Sequence, residues 1–195
     1  NYITASEAPG FLSGWTYRKE HLITGANIQD YQMRFVVWNT AGTDNGENVY
    51  LDGHVKPDFS DLRFTDDANN LLPYWIEQTS STNAVVWVKM PLISSGGTYL
   101  YIYSDNASAV SASNGNAVFE FFEDFESGST SGWTVDSGVS FTASTDSSVQ
   151  GSYSGKFVHP GGSTVTGIRK SLTGRTDGIL EYSIRPVQTN KYHRM

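Results

Sequence analysis

A side-chain period of two, broken at intervals by turn residues, constrains this chain more than any other feature. Trp15, Tyr17, Lys19, His21 and Ile23 alternate with Thr16, Arg18, Glu20 and Leu22; Tyr31, Met33, Phe35 and Val37 alternate with Gln32, Arg34 and Val36. A strand turns successive side chains to opposite faces, so both runs predict strands rather than helices. Residues 62–64, 74–78, 85–90 and 99–103 continue the series. Between the runs stand Thr43-Asp44-Asn45-Gly46, Asp66-Asp67-Ala68-Asn69-Asn70 and Ser94-Ser95-Gly96-Gly97, residue types that bend a backbone. Short strands with regular turns imply an all-β chain of antiparallel β-sandwich, jelly-roll-like modules.

Composition narrows the partners. With 11 Tyr, 10 Phe, 5 Trp and 19 Gly the chain suits pleated strands and tight turns. A net charge of −7 argues against nucleic acid, because holding phosphates takes clustered Lys and Arg. No Cys is present, which removes disulfides, thiolate nucleophiles and thiolate zinc sites. Asn1 is not followed by a basic and then an apolar stretch, so no targeting peptide is expected. Apolar runs such as residues 84–88 are far short of the roughly 20 residues a membrane helix needs, so no transmembrane segment is expected either.

The 195 residues allow one large sandwich or two smaller modules. Residues 104–116, rich in Ser, Ala and Asn, read as a short helical turn or an irregular connection approaching a boundary. Alternation resumes over residues 118–126, and the composition then shifts to Ser, Thr and Gly. The expected organisation is an N-terminal arm over residues 1–13, a β-sandwich module over 14–117 and a second module over 118–195. Strands are expected in it at 139–143, 155–159, 167–172 and 179–187, with turns at Ser137-Gly138, Gly161-Gly162 and Thr176-Asp177-Gly178. The arm is expected to be a disordered lead-in or a strand given to a neighbour.

Six strings in one order carry a family resemblance: Gly14-Trp15-Thr16-Tyr17-Arg18-Lys19, Asp30-Tyr31-Gln32, Asp61-Leu62-Arg63-Phe64-Thr65-Asp66, Leu72-Pro73-Tyr74-Trp75-Ile76-Glu77, Val86-Trp87-Val88-Lys89-Met90-Pro91 and Tyr101-Ile102-Tyr103. Over about residues 14–110 the chain resembles the domain of unknown function 2341, which implies a β-sandwich module of secreted and surface proteins, often beside lectin-like domains. Phe122-Glu123-Asp124-Phe125-Glu126-Ser127-Gly128, Gly132-Trp133-Thr134-Val135 and Gly151-Ser152-Tyr153-Ser154-Gly155-Lys156 are similar to the opening strands of a concanavalin-A-like lectin or glucanase sandwich.

Candidate sites follow from residue chemistry. Trp38, Trp75, Trp87 and Trp133, with Tyr99, Tyr101 and Tyr103, offer flat rings on which sugars stack; the competing role is core packing. Tyr99, Tyr101 and Tyr103 share one face of their strand and form the best binding stripe, so the carbohydrate-binding set is Trp75, Trp87, Tyr99, Tyr101 and Tyr103. Asp58, Asp61, Asp66, Asp67, Asn69 and Asn70 are dense in hard oxygen donors, and Glu120, Glu123, Asp124 and Glu126 form a second acidic cluster; no cofactor is expected, and the candidate ligands for a structural calcium are Asp66, Asp67 and Asn69 in the first group and Glu123 and Asp124 in the second. Their rivals are a turn whose Asp and Asn side chains bond their own backbone, and solvated charges at a sheet edge. Asp61 and Arg63 share a strand face and read as an ion pair. Asn106-Ala107-Ser108 makes Asn106 a glycosylation acceptor.

Catalysis has no constellation to stand on. Lectin-like glucanases carry Glu-x-Asp-x-x-Glu on one strand, a string absent here, and residues 179–185 hold Glu181 alone. His21, His54, His159 and His193 sit in no metal-ligand spacing, His54 reading as a polar loop residue beside Asp52. No nucleophile elbow or phosphate loop occurs. The expected function is therefore a non-enzymatic, extracellular or cell-surface protein that binds polysaccharide or another glycan, or mediates adhesion. The alternative is a structural subunit of a filament or sheath, joined to other copies by β-strand exchange.

Overall fold

The computed structural model describes residues 2–4, 11–159, 161, 166–172 and 178–186. The molecule is nearly all β and divides into two compact units, one ending at Glu123 and the other beginning at Asp124.

The first unit is a sandwich of two four-stranded sheets. One has the order β1 (Tyr2–Thr4), β2 (Tyr17–Ile23), β8 (Thr98–Ser104), β5 (Arg63–Thr65), and every pairing in it is antiparallel. The other has the order β4 (Asn48–Tyr50), β3 (Ile28–Trp38), β7 (Asn83–Ile93), β6 (Tyr74–Thr79), antiparallel except that β4 runs parallel to β3. The alternation read from the sequence sets the inward faces. Ile23 of β2, Leu100 and Ile102 of β8 and Phe64 of β5 meet Phe35 and Val37 of β3, Val49 of β4 and Val86, Val88 and Met90 of β7 in one core. Phe59 and Leu62, from the connection before β5, join it at 0% exposure. Each such side chain contributes about 2 kcal/mol on leaving water, which the short turns convert into a defined register.

Two strands of the first unit escaped the periodicity. β4 is three residues long and docks in parallel because the connection from β3 doubles back across it. Gly42 in that connection lies against the Tyr50 ring, leaving no room for a Cβ. β1 pairs with Tyr17, Arg18 and Lys19 of its own chain, so the arm contributes an edge strand to this sheet. Residues 5–10 of that arm lie outside the described residues.

The strand expected over 118–126 is also corrected. Gly115–Val118 forms a four-residue helical turn, α1, and no strand is assigned from Phe119 to Glu126. Phe119 and Phe122 turn back on Trp75, at 5.7 and 4.8 Å between ring centroids. Aromatic burial thus keeps these residues with the first unit, whose end falls at Glu123 rather than before Val118.

The second unit holds β9 (Thr134–Val135) paired with β12 (Ile168–Arg169) and β10 (Ser140–Ser144) paired with β11 (Ser154–Val158), both antiparallel. Phe125, Trp133 and Phe141 pack together above Gly155, where a Cβ would meet the Phe125 and Phe141 rings at 2.7 and 2.8 Å. The strand expected at 167–172 shrinks to two residues. None is assigned over 178–186 despite its alternation, because no other described segment forms a ladder with it; Val187 and the turn residues Gly162, Thr176 and Asp177 lie outside the described residues.

Candidate functional site

The outer face of the β1-β2-β8-β5 sheet carries the tyrosine stripe. Leu100, Ile102 and Ser104 take the core side of β8, so Tyr99, Tyr101 and Tyr103 project outward. The three then part company. Tyr103 is fully buried: Phe11 meets its ring edge-on at 5.5 Å, its hydroxyl donates to Asn69 Oδ1 at 2.7 Å, and Arg18 Nη1 donates to that hydroxyl at 3.4 Å. Tyr101 is half-buried between Glu20, its partner on β2, and Thr65, its partner on β5. Tyr99 is 43% exposed opposite Leu22, itself 50% exposed. The Tyr99 and Tyr101 rings are 6.4 Å apart and tilted by 33°.

Arg18 organises the inner end of the stripe. Its guanidinium sits 4.8 Å from the Tyr101 centroid and 5.0 Å from that of Phe11, so the cation is spread over ring faces. Burial first, then the negative charge of Glu20, holds the Tyr101 hydroxyl above its ordinary value of 10.0, with Asp67 and the hydrogen bond that the hydroxyl donates to Glu20 acting the same way against Arg18. The open end therefore presents two aromatic faces, an aliphatic neighbour and a carboxylate.

Trp75 and Trp87 do not join this surface. They are directly paired across β6 and β7, on the outer face of the opposite sheet. Phe119 covers both, Phe122 stacks parallel to Phe119, and the Trp87 indole donates to Glu77 Oε2 at 2.8 Å. Trp38 stacks on Tyr50 and donates to Asn48 Oδ1 at 3.0 Å, and Trp133 belongs to the core of the second unit.

The acidic groups act mainly on backbone. Asp66 Oδ1 accepts the Asn70 N–H at 2.8 Å and Oδ2 accepts the Asn70 amide at 2.9 Å, which is the turn chemistry of an Asx loop. Asn69, at φ 64°, is committed to Tyr103, and Asp67 lies close enough to bear on Tyr101. Asp58 takes the hydroxyl and backbone N–H of Ser60, which lower its carboxyl below the usual range. Glu123 closes the first unit, whereas Asp124 opens the second and accepts the Glu126 N–H at 3.1 Å. Glu126 in turn accepts the N–H groups of Ser152 and Tyr153 at 2.8 and 2.7 Å. Among the described residues, no three of His, Cys, Asp and Glu converge as metal ligands.

Asp61 and Arg63 are not an ion pair, a further correction. The Asp61 carboxylate, at 0% exposure, accepts the backbone N–H groups of Lys56, Asp105 and Asn106 at 3.0, 2.8 and 3.2 Å. Arg63 donates instead to the Leu62 and Val110 carbonyls and lies 5.1 Å over the Trp15 ring. Asn106, the sequon residue, is half-buried; its Oδ1 accepts the Ser108 N–H at 3.0 Å, and its amide nitrogen faces Gly14. His54 stacks on Tyr17 at 3.5 Å, His159 accepts the Gly161 N–H, and His193 lies outside the described residues.

One polar group was missed. Lys19 and His21 occupy successive core-facing positions of β2 and meet Asp44 from the loop before β4. The signal was there: a Lys and a His in line with Ile23 on a buried face demand a polar partner. Nothing local says which residue supplies it.

Comparison with known proteins bears on the first unit most. Residues 58–136 match the family described as Domain of unknown function (DUF2341). The match takes in the four quoted strings from Asp61 onward and runs past the end of the first unit, a different span from the 14–110 expected. Within it, Asp61, Arg63, Tyr74 and Trp87 hold loops and strands together. No curated protein matches the chain. No solved structure matches it either. No helix of the described residues is long and apolar enough to cross a membrane.

Proposed function

We propose that this chain is a non-catalytic protein of the cell exterior that binds polysaccharide on the outer face of the β1-β2-β8-β5 sheet. The observation that carries the reading is the pair Tyr99 and Tyr101, adjacent on β8, open to solvent at one end and flanked by Leu22 and Glu20. Two ring faces stack against the C–H sides of sugars, while a carboxylate accepts their hydroxyl protons. The likeness of the second module to the opening of a lectin-like sandwich supports the same class of ligand. The acidic surface favours neutral over anionic glycans, since like charges repel.

Affinity electrophoresis of the purified chain through gels containing neutral polysaccharides of different linkage tests this. One polysaccharide is expected to retard the chain, and Tyr99→Ala or Tyr101→Ala is expected to weaken retardation about tenfold, equivalent to ~1.4 kcal/mol. The reading fails if no polysaccharide retards the chain, or if both variants are retarded like the parent.

A further inference from the structure

The group at Lys19, Asp44 and His21 has a geometry beyond that of a buried ion pair. Lys19 Nζ lies 2.6 Å from Asp44 Oδ1 and 2.5 Å from the Tyr50 carbonyl oxygen. The Tyr50 backbone N–H donates to the same Oδ1 at 3.0 Å, and His21 Nδ1 lies 3.5 Å from Oδ2. The His21 ring is set edge-on to Phe35 at 5.6 Å between centroids. Lys19 and His21 are each 8% exposed.

These are the parts of an acyl-transfer centre: an amine held at a carboxyl group, an N–H aimed at the oxygen where charge develops, and an imidazole beside the oxygen that leaves. With the Lys19 side chain 9% exposed and that of Asp44 21% exposed, the ion pair also loses part of the solvation that separates it from the neutral amine and acid. We propose that Lys19 and Asp44 join through an amide bond, a modification that ties β2 to the loop before β4.

The chemistry balances without a co-reactant. A proton passes from the Lys19 ammonium to Asp44 Oδ2, leaving an amine and a carboxylic acid. Nζ attacks Cγ, and the electrons of the C=O bond move to Oδ1, where the Tyr50 N–H receives the charge. His21 gives a proton to Oδ2, which departs as water, and regains one from the new nitrogen. One ammonium and one carboxylate become one amide and one water. In a chain with no Cys, the bond performs what a disulfide performs elsewhere, closing the loop between residues 19 and 44 in the unfolded chain.

Intact-mass measurement of the purified, folded chain tests the proposal. The chain is expected to weigh one water less than its sequence requires, and its digest to contain a branched peptide joining the Lys19 segment to the Asp44 segment. Lys19→Met is expected to restore the full mass, and His21→Ala to slow the loss of water. A folded parent at full mass overturns the proposal, as does a deficit that survives in Lys19→Met. Should that variant fail to fold, the parent digest decides by itself, because only the branched peptide supports the bond and its absence refutes it.

Discussion

The Trp15 indole donates its Nε1–H to the backbone carbonyl of Asp61 at 2.6 Å, while the carboxylate of the same Asp61 gathers the N–H groups of Lys56, Asp105 and Asn106. One fully buried residue thus binds the entry to β2, the connection before β5 and the turn leaving β8.

Asp61→Ala leaves those N–H groups buried without an acceptor. It is expected to destabilise the chain by about 3–5 kcal/mol in denaturant unfolding, a carboxylate that accepts several backbone bonds being worth more than an average contact. Asp61→Asn, which keeps one carbonyl acceptor, is expected to cost roughly half as much. Equal stability of Asp61→Ala and the parent contradicts the assigned role.

Trp75→Ala separates scaffold from binding face. Removing the ring strips Phe119 and Phe122 of their support, at a cost of about 2–3 kcal/mol for a half-buried aromatic. Retardation by polysaccharide is expected to stay at the parental level, since Trp75 is on the opposite sheet from Tyr99. A selective loss of binding at unchanged stability refutes that division.

The Asp136 carboxyl is held below its ordinary 3.8 by the Gly167 backbone N–H and then by Arg169. A folded-state value below the unfolded one means that the folded carboxylate binds its proton less readily. Its contribution is full above pH 3.8 and disappears as pH falls through the lowered value. Backbone NMR of Asp136 and Gly167 is expected to follow a transition below pH 3.8, absent in Asp136→Asn.

At alkaline pH the sign reverses. The Tyr101 hydroxyl is raised above 10.0, so the folded state keeps its proton longer than the unfolded chain. The associated stability is complete below pH 10.0 and is lost as pH rises toward the raised value. Tyr101→Phe, which cannot ionise, is expected to flatten the alkaline limb of a stability–pH profile. An unchanged limb removes Tyr101 as its source.

Alternation was enough to place the longer strands and their inward faces, because a buried sheet face takes mostly apolar residues at every second position. Tyr99, Tyr101 and Tyr103 were thus legible in the sequence as one stripe. The short β1 and β4 were not, since three residues carry no readable period and owe their pairing to neighbours distant in sequence. Residues 118–126 misled for the opposite reason: their alternation is real, but Phe119 and Phe122 gain more by covering Trp75 than by extending in a ladder.

By itself the sequence determined the class of fold, the faces of the principal strands and the scarcity of cations. Tertiary structure alone decided which aromatics remain open, with Tyr99 left to solvent, Tyr103 sealed by Phe11 and Arg18, and Trp75 roofed by Phe119. It also chose Asp44 as the partner of Lys19 and His21. The period of a strand is a local property of the backbone, whereas exposure and pairing depend on which segments fold over it from elsewhere in the chain.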